Sequence, residues 1–443
     1  MAAADMHHHD TIVALSSGSV PSGVAVIRLS GPKAGEVLTG LAGSLPSPRH
    51  LALRQITGHD SREIDEALVA WFPAPSSFTG EDCVEIQCHG SAAVVSAILR
   101  EISRLPDCRL ADAGEFSRRA FENGKLDLTQ VEGLGDLIAA QTETQRQQAL
   151  GRMRGRLSEL LTDWRVQIID LRAEVEARLD FSDEGDVADA LPHDFVQNLD
   201  ALAGELKSAI RDVAVGRIVR DGFRVTLAGA PNAGKSTLMN ALAQSDVAIV
   251  TEIAGTTRDV LEVPLDIGGQ LVLLADTAGL RDTPDVVEAE GVRRAQRRMA
   301  ESDLVIVLVP GGHPVPEIKA DCPVWIVRSK SDRSDQPVSG ECLAISAKTG
   351  FGMKALMAEL QSLVTRQASA AAKGEAVLVS RERDRVLLSE CLQHLNRARD
   401  FHEVNELLAE ELRLAGDAIG RMTGVIDAEH VLDRLFAGFC IGK

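Results

Sequence analysis

Apolar runs of strand length dominate the first part of the chain. They lie at residues 11–15, 24–29, 66–72 and 82–87, and the turn-rich stretch 16–23 separates the first two. Residues 94–102 instead repeat apolar side chains at helical spacing. This pattern predicts an N-terminal α/β domain over residues 1–118. Farther along, proline is scarce and leucine and valine recur every three or four residues, which predicts long amphipathic helices. Breaks are expected at 181–186 and near Pro192. Strand and helix patterns alternate over 217–374, and leucine-rich helical spacing returns afterwards, as at 384–395 and 404–419. The fold class read from this is multidomain, α/β and all-α. A discontinuous helical domain (119–216 and 375–443) is interrupted by an inserted α/β domain (217–374), an arrangement that requires the insert's termini to lie close together.

The inserted block holds the most specific motif. An apolar run, residues 223–228, leads into Gly229-Ala230-Pro231-Asn232-Ala233-Gly234-Lys235-Ser236-Thr237, and the helix-like stretch 238–242 follows. Strand, glycine-rich loop, then helix is the context in which G-x-x-x-x-G-K-[ST] binds phosphate. Backbone N–H groups and the helix N-terminus cradle the phosphate oxygens, Lys235 adds a full positive charge, and Ser236 offers a hydroxyl to Mg2+.

Three further stretches complete a GTPase constellation. Thr251, Glu252, Ile253, Ala254, Gly255, Thr256 and Thr257 occupy the place of a mobile switch, where Thr257 can complete the Mg2+ shell. An apolar strand, 271–275, ends in Asp276, Thr277, Ala278 and Gly279. Asp276 can reach the metal through water, and the Gly279 N–H can meet the γ-phosphate. Base choice falls to Ser329, Lys330, Ser331 and Asp332, at the place of an N-K-x-D motif, with Ser346, Ala347 and Lys348 as the second guanine-side loop. Asp332 can accept from both the N1–H and the N2 amino group of guanine, a pair adenine lacks, so GTP is the predicted nucleotide. Ser329 in place of asparagine costs a contact. Leu280 stands where Ras-like enzymes carry the water-positioning glutamine. Another group must therefore orient the attacking water, and Glu288 is the candidate. Asn232 could help hold a monovalent cation beside the phosphates.

Composition narrows the remaining classes. Of 443 residues, 45% are apolar and 25% charged, which is ordinary for a globular protein, and no apolar run reaches the length of a membrane span. The N-terminus lacks the character of a signal peptide, so a cytoplasmic location is expected. The seven cysteines are scattered and read as reduced thiols. A net charge of −18 rules out nucleic-acid binding through bulk charge and leaves it to a local basic face.

The motifs also carry a resemblance. The P-loop with Pro231-Asn232, the Ile253-to-Asp259 switch and Asp276-to-Arg281 resemble the TrmE/Era branch of GTPases. Ser77-Phe78-Thr79-Gly80-Glu81-Asp82, the long stretch from Gly114 through Lys125-Leu126-Asp127-Leu128-Thr129-Gln130, and Cys440-Ile441-Gly442-Lys443 look like the MnmE (TrmE) family of tRNA-modification GTPases. An Era-type ribosome-assembly GTPase shares the switch motifs but usually adds a basic RNA-binding domain, unlike this acidic chain. A folate-sensing regulatory switch is the alternative from another class.

The resemblance implies an N-terminal folate-binding domain that dimerises, a helical domain and an inserted GTPase domain. It implies a homodimer that works with a flavoprotein partner, MnmG (GidA), at C5 of the wobble uridine of certain tRNAs. The added group is aminomethyl or carboxymethylaminomethyl, and its carbon comes from 5-formyl- or methylene-tetrahydrofolate. GTP hydrolysis in such proteins is activated when two GTPase domains meet across K+. Carried over residue by residue, Asn232, Thr251, Ile253 and Thr256 match the K+ positions, Ser236 and Thr257 the Mg2+ ligands, and Glu288 the catalytic glutamate. Arg28, Glu85, Lys125 and Lys443 match the folate positions, and Cys440 is a candidate for the modification chemistry.

Overall fold

The computed structural model describes residues 10–180, 191–249, 262–276, 297–318, 320–333, 343–369, 378–402, 404–426, 432, 435–439 and 441–442. These divide into two units, Met1–Gly135 with Ile419–Lys443, and Asp136–Ala418.

The first unit is built on β1 (Thr11–Leu15), β2 (Ser22–Ser30), α1 (Ala34–Ala42), β3 (Ala52–Thr57), β4 (Glu63–Phe72), β5 (Cys83–Gly90), α2 (Ala92–Ser103), β6 (Cys108–Leu110), α3 (Glu115–Glu122) and the residues up to Gly135 of α4 (Leu128–Ala139). Its strands form one sheet in the order β3-β4-β5-β2-β1-β6, antiparallel throughout except for the parallel β1–β6 pair. The predicted strands and the 94–102 helix are all present. Ile27, Leu29, Val69, Val84 and Ile86 line the buried sheet face, and Leu38 of α1 and Ile98 and Ile102 of α2 cover it. On β2 and β5 these buried positions alternate with the half-buried Val26, Arg28, Glu85 and Gln87, the period-two pattern of an antiparallel strand. A side chain at Gly114, the residue before α3, would stand 2.8 Å from the Phe436 carbonyl, so the backbone there closes directly on the C-terminal stretch.

The second unit begins with α5 (Glu143–Met153), α6 (Arg156–Asp180) and α7 (Phe195–Asp221). Leu157, Leu161, Trp164, Ile168, Leu171 and Val175 form the buried stripe of α6 at helical spacing. Next come β7 (Phe223–Ala228), α8 (Lys235–Ala243), β8 (Glu262–Ile267), β9 (Gln270–Asp276), β10 (Leu304–Pro310), β11 (Val324–Ser329), β12 (Leu343–Ala344) and α9 (Met353–Ser369). The sheet runs β12-β11-β10-β7-β9-β8, parallel except for the antiparallel edge strand β8. Six consecutive buried residues, Leu304-Val305-Ile306-Val307-Leu308-Val309, make β10 a continuous apolar strand, as a parallel strand covered on both faces must be. After this block come α10 (Glu382–Asp400) and, up to Ala418, α11 (Asn405–Thr423), and α10 packs directly on α7.

Candidate functional site

The site grows out of the C-terminal edge of the parallel sheet. β7 is apolar because it is buried, with Phe223, Val225 and Leu227 fully enclosed, and it delivers the chain to Gly229 at the sheet's end. There φ is +141°, and a Cβ would stand 2.5 Å from the Leu308 carbonyl, so only glycine fits. Asn232 (φ +62°) and Gly234 (φ +104°) carry the loop through two more left-handed positions into α8. No side chain caps the first turn of α8, which leaves its N–H groups available to an anion. The buried Lys235 donates from Nζ to the Gly229 and Ala230 carbonyls, at 2.9 and 3.1 Å. Ser236 Oγ donates to Asp276 Oδ2 at 3.4 Å, so the two sequence-predicted groups on the metal side do converge. A hydroxyl beside a buried carboxylate is a hard-oxygen set of the kind that suits Mg2+, an ion that keeps several waters and takes further ligands from phosphate.

The base side is assembled by two loops. Ser331 N–H donates to the Ile345 carbonyl, and Ile345 N–H donates to Arg328, which zips the loop after β11 to the one after β12. Ser346 Oγ donates to Asp332 Oδ1 at 2.7 Å, and this hydrogen bond holds the Asp332 carboxyl below its ordinary pKa. Asp332 is thus presented ionised as an acceptor. A cleft beside it is lined by Gly234, Thr237, Lys330, Ser346, Ala347 and Lys348. Ser329 also lines it, but the buried Ser329 hydroxyl donates to the Ala233 carbonyl of the P-loop, at 2.7 Å. The serine that replaces asparagine therefore joins the base loop to the phosphate loop.

Several predicted residues lie outside the described residues: Thr251, Glu252, Ile253, Ala254, Gly255, Thr256, Thr257, Thr277, Ala278, Gly279, Glu288, Cys440 and Lys443.

In the first unit Arg28 and Glu85 are cross-strand partners on β2 and β5, with Arg28 Nη2 donating to Glu85 Oε1 at 2.8 Å. The Arg28 guanidinium also stands 5.5 Å from the Phe78 ring centroid and 5.9 Å from that of Phe116. The exposed Lys125 packs along Gly80, in the same 77–82 loop as Phe78. Beneath these lies an ionic network to which the sequence reading gave no role. Arg119 bonds Asp10 Oδ1 at 2.8 Å and Glu81 Oε2 at 3.0 Å and also reaches Glu115, while Ser30 Oγ donates to Glu81 at 2.6 Å. Its sequence signal was the presence of Glu81 and Arg119 inside the two signature stretches. Cys83, Cys88, Cys108 and Cys391 are buried free thiols. Among the described residues there is no group of three or more His, Cys, Asp or Glu placed to hold a metal, and no helix is long and apolar enough to cross a membrane.

Comparison with known proteins agrees with this architecture. The model of the MnmE helical domain matches residues 128–440, and that of the GTP-binding protein TrmE N-terminus matches residues 11–125. The tRNA modification GTPase MnmE of Methylorubrum populi is 50% identical over 439 residues, covering 98% of each chain. That of Azorhizobium caulinodans is 49% identical, covering 98% of this chain and 99% of its own, and that of Methylobacterium radiotolerans is 47% identical, covering 99% and 100%. With a complete phosphate loop, a guanine-side loop and full-length similarity at this level, the chain belongs to the MnmE family of tRNA modification GTPases.

Proposed function

We propose that this protein is a K+-stimulated GTPase that modifies C5 of the wobble uridine of certain tRNAs together with a flavoprotein of the MnmG (GidA) kind. The product carries an aminomethyl or carboxymethylaminomethyl group whose carbon comes from a tetrahydrofolate derivative. The observation that carries the GTPase part is the pairing of Ser236 with Asp276 beside the uncapped start of α8. Family membership supports the tRNA part.

The chain's own residues account for much of the proposed cycle. The P-loop N–H groups hold the phosphates. Lys235 has three ammonium protons, of which two are directed to the Gly229 and Ala230 carbonyls, so one remains for a phosphate oxygen. Ser236 and Thr257 would hold Mg2+, with Asp276 acting through water, and the ion would neutralise charge on the phosphates. Asn232, Thr251, Ile253 and Thr256 are proposed for K+. Glu288 orients the attacking water, because Leu280 cannot. Two copies bring their GTPase domains together as a homodimer. In the first unit Arg28, Glu85, Lys125 and Lys443 are proposed to bind the folate, with Cys440 near the modification chemistry. A cytoplasmic location is part of this proposal.

The test is mass spectrometry of tRNA nucleosides from cells with and without the gene. Loss of a C5-modified wobble uridine, restored by the wild type and not by Glu288→Ala, is the expected result. Unchanged tRNA would refute the assignment.

A further inference from the structure

The Ser329 hydroxyl has one proton, and the Ala233 carbonyl has none, so Ser329 must be the donor in their 2.7 Å contact. Ser329 is 4% exposed and Ala233 is fully buried. Redirecting that proton would leave a buried carbonyl without its donor, an unfavourable exchange. An asparagine at this place has two amide protons and could serve the P-loop carbonyl and a base acceptor together. Serine cannot.

Guanine presents two kinds of edge. Its N1–H and N2 amino group are donors, matched by the acceptor-only Asp332 carboxylate. Its N7 and O6 are acceptors and need donors from the protein. The other hydroxyls in the guanine loops are already spent, Ser346 on Asp332 Oδ1 and Ser331 on the Arg328 carbonyl. The two serines that frame this side of the cleft therefore have no proton left for the base.

We infer that Ser329 is a positioning residue that ties the guanine loop to the P-loop, and that this site recognises guanine through its N1–H and N2 edge without a hydrogen bond to N7. The inference rests on the GTP-binding reading above and sharpens it. The ligand class is any nucleotide with guanine's N1–H and N2 amino groups, whether or not position 7 is nitrogen.

The test is the affinity of the full-length protein, with Mg2+, for GDP and for 7-deaza-GDP, in which a C–H replaces N7. The wild type is expected to bind both with equal affinity. Ser329→Asn supplies a second amide proton and is expected to favour GDP by roughly 3- to 10-fold, the yield of one ordinary hydrogen bond. Ser329→Ala is expected to weaken both nucleotides alike, leaving their ratio near one. A wild type that prefers GDP several-fold would overturn the inference while leaving the nucleotide site intact. Equal affinities in Ser329→Asn would overturn the assignment of the missing contact to residue 329. Failure of the wild type to bind either nucleotide would remove the GTP-binding reading and the inference with it. Because the first comparison uses the unmodified protein, it does not depend on any variant folding.

Discussion

Arg152 of α5 and Asp384 of α10 form an ion pair at 3.6 Å in which the side chains are 0% and 1% exposed. Arg152 also donates to the Leu378 carbonyl and Ser380 Oγ, at 3.0 and 2.8 Å, so the same guanidinium holds the segment that leads into α10. Asp384 lies in the first turn of that helix, where a negative charge suits the helix dipole. Removing one partner leaves the other charge buried. Asp384→Ala should therefore lower unfolding free energy by about 3–5 kcal/mol, whereas Arg152→Met combined with Asp384→Leu should recover much of that loss. Urea unfolding of the two variants distinguishes a coupled pair from two independent groups, whose effects would simply add.

Gly229 provides a test of the phosphate loop's shape. Alanine there must relieve a 2.5 Å approach to the Leu308 carbonyl at φ +141°. Strain of this kind costs about 1–3 kcal/mol, so GDP affinity should fall roughly 5- to 150-fold as the loop shifts. Gly40→Ala in α1 meets nothing within 4 Å and should leave affinity unchanged. Measuring both by fluorescent-nucleotide titration separates loop geometry from a general glycine effect.

The phosphate loop is legible in the sequence because its chemistry is local. Gly229, Gly234, Lys235 and Ser236 stand at fixed offsets, and the β7 and α8 patterns on either side match the fold. Elements with weak patterns escape such a reading. α1 contains Gly35 and Gly40, β6 has three residues, and β3 buries only Ile56 among polar neighbours such as Arg54 and Gln55. Contacts made by the fold are illegible for a different reason. Ser329 and Ala233 are 96 residues apart, and Arg119 and Asp10 are 109 apart, so the use of each side chain is decided only when the elements carrying them come together. A serine in the asparagine's place predicts a lost base contact, but nothing local in the sequence names the P-loop carbonyl as its partner.

The ionic network of the first unit should make its stability acid-sensitive. Burial opposes ionisation of Glu115 and Asp10, but Arg109 and Arg119, together with the Asp112 N–H on Glu115, outweigh it and hold both carboxyls below their ordinary pKa values. Groups with depressed folded-state values stabilise above their unfolded values and lose that contribution as pH falls through the folded ones. The expected decline thus begins near pH 4, about where unfolded carboxylates titrate. Denaturation of the wild type and Glu115→Gln at successive pH values should show their stability difference shrinking as pH is lowered. A difference that does not vary with pH would rule out a linked carboxylate at this position.

The Arg28–Glu85 pair bears on the proposed folate site. The resemblance gives both residues as folate positions, and here Arg28 donates to Glu85 through both Nε and Nη2, at 3.1 and 2.8 Å. Removing either therefore changes the other's charge environment beside Phe78 and Phe116. In 5-formyl-tetrahydrofolate binding, Arg28→Ala and Glu85→Ala should be coupled by about 0.5–3 kcal/mol, the range for residues in direct contact. Lys125→Ala, for which no bond to the pair is found among the described contacts, should add to either. Strict additivity of Arg28→Ala and Glu85→Ala would mean that the pair interacts equally in the free and the bound protein, so that the ligand does not engage it.

Hydrolysis itself discriminates between Glu288 as a water-orienting base and as a bystander. Leu280 offers no hydrogen bond, so if Glu288 performs the task then Glu288→Ala should bind GDP within about 3-fold of wild type while losing roughly 100- to 10,000-fold in turnover, the usual share of a general base. Replacing K+ with Na+ should slow the wild type severely, since the cation proposed at Asn232 offsets phosphate charge in the transition state rather than in the ground state. If both act on the same step, K+ should restore little activity to Glu288→Ala. Normal turnover by that variant in K+ would assign the water to another group, and equal wild-type rates in the two salts would remove the cation from the mechanism.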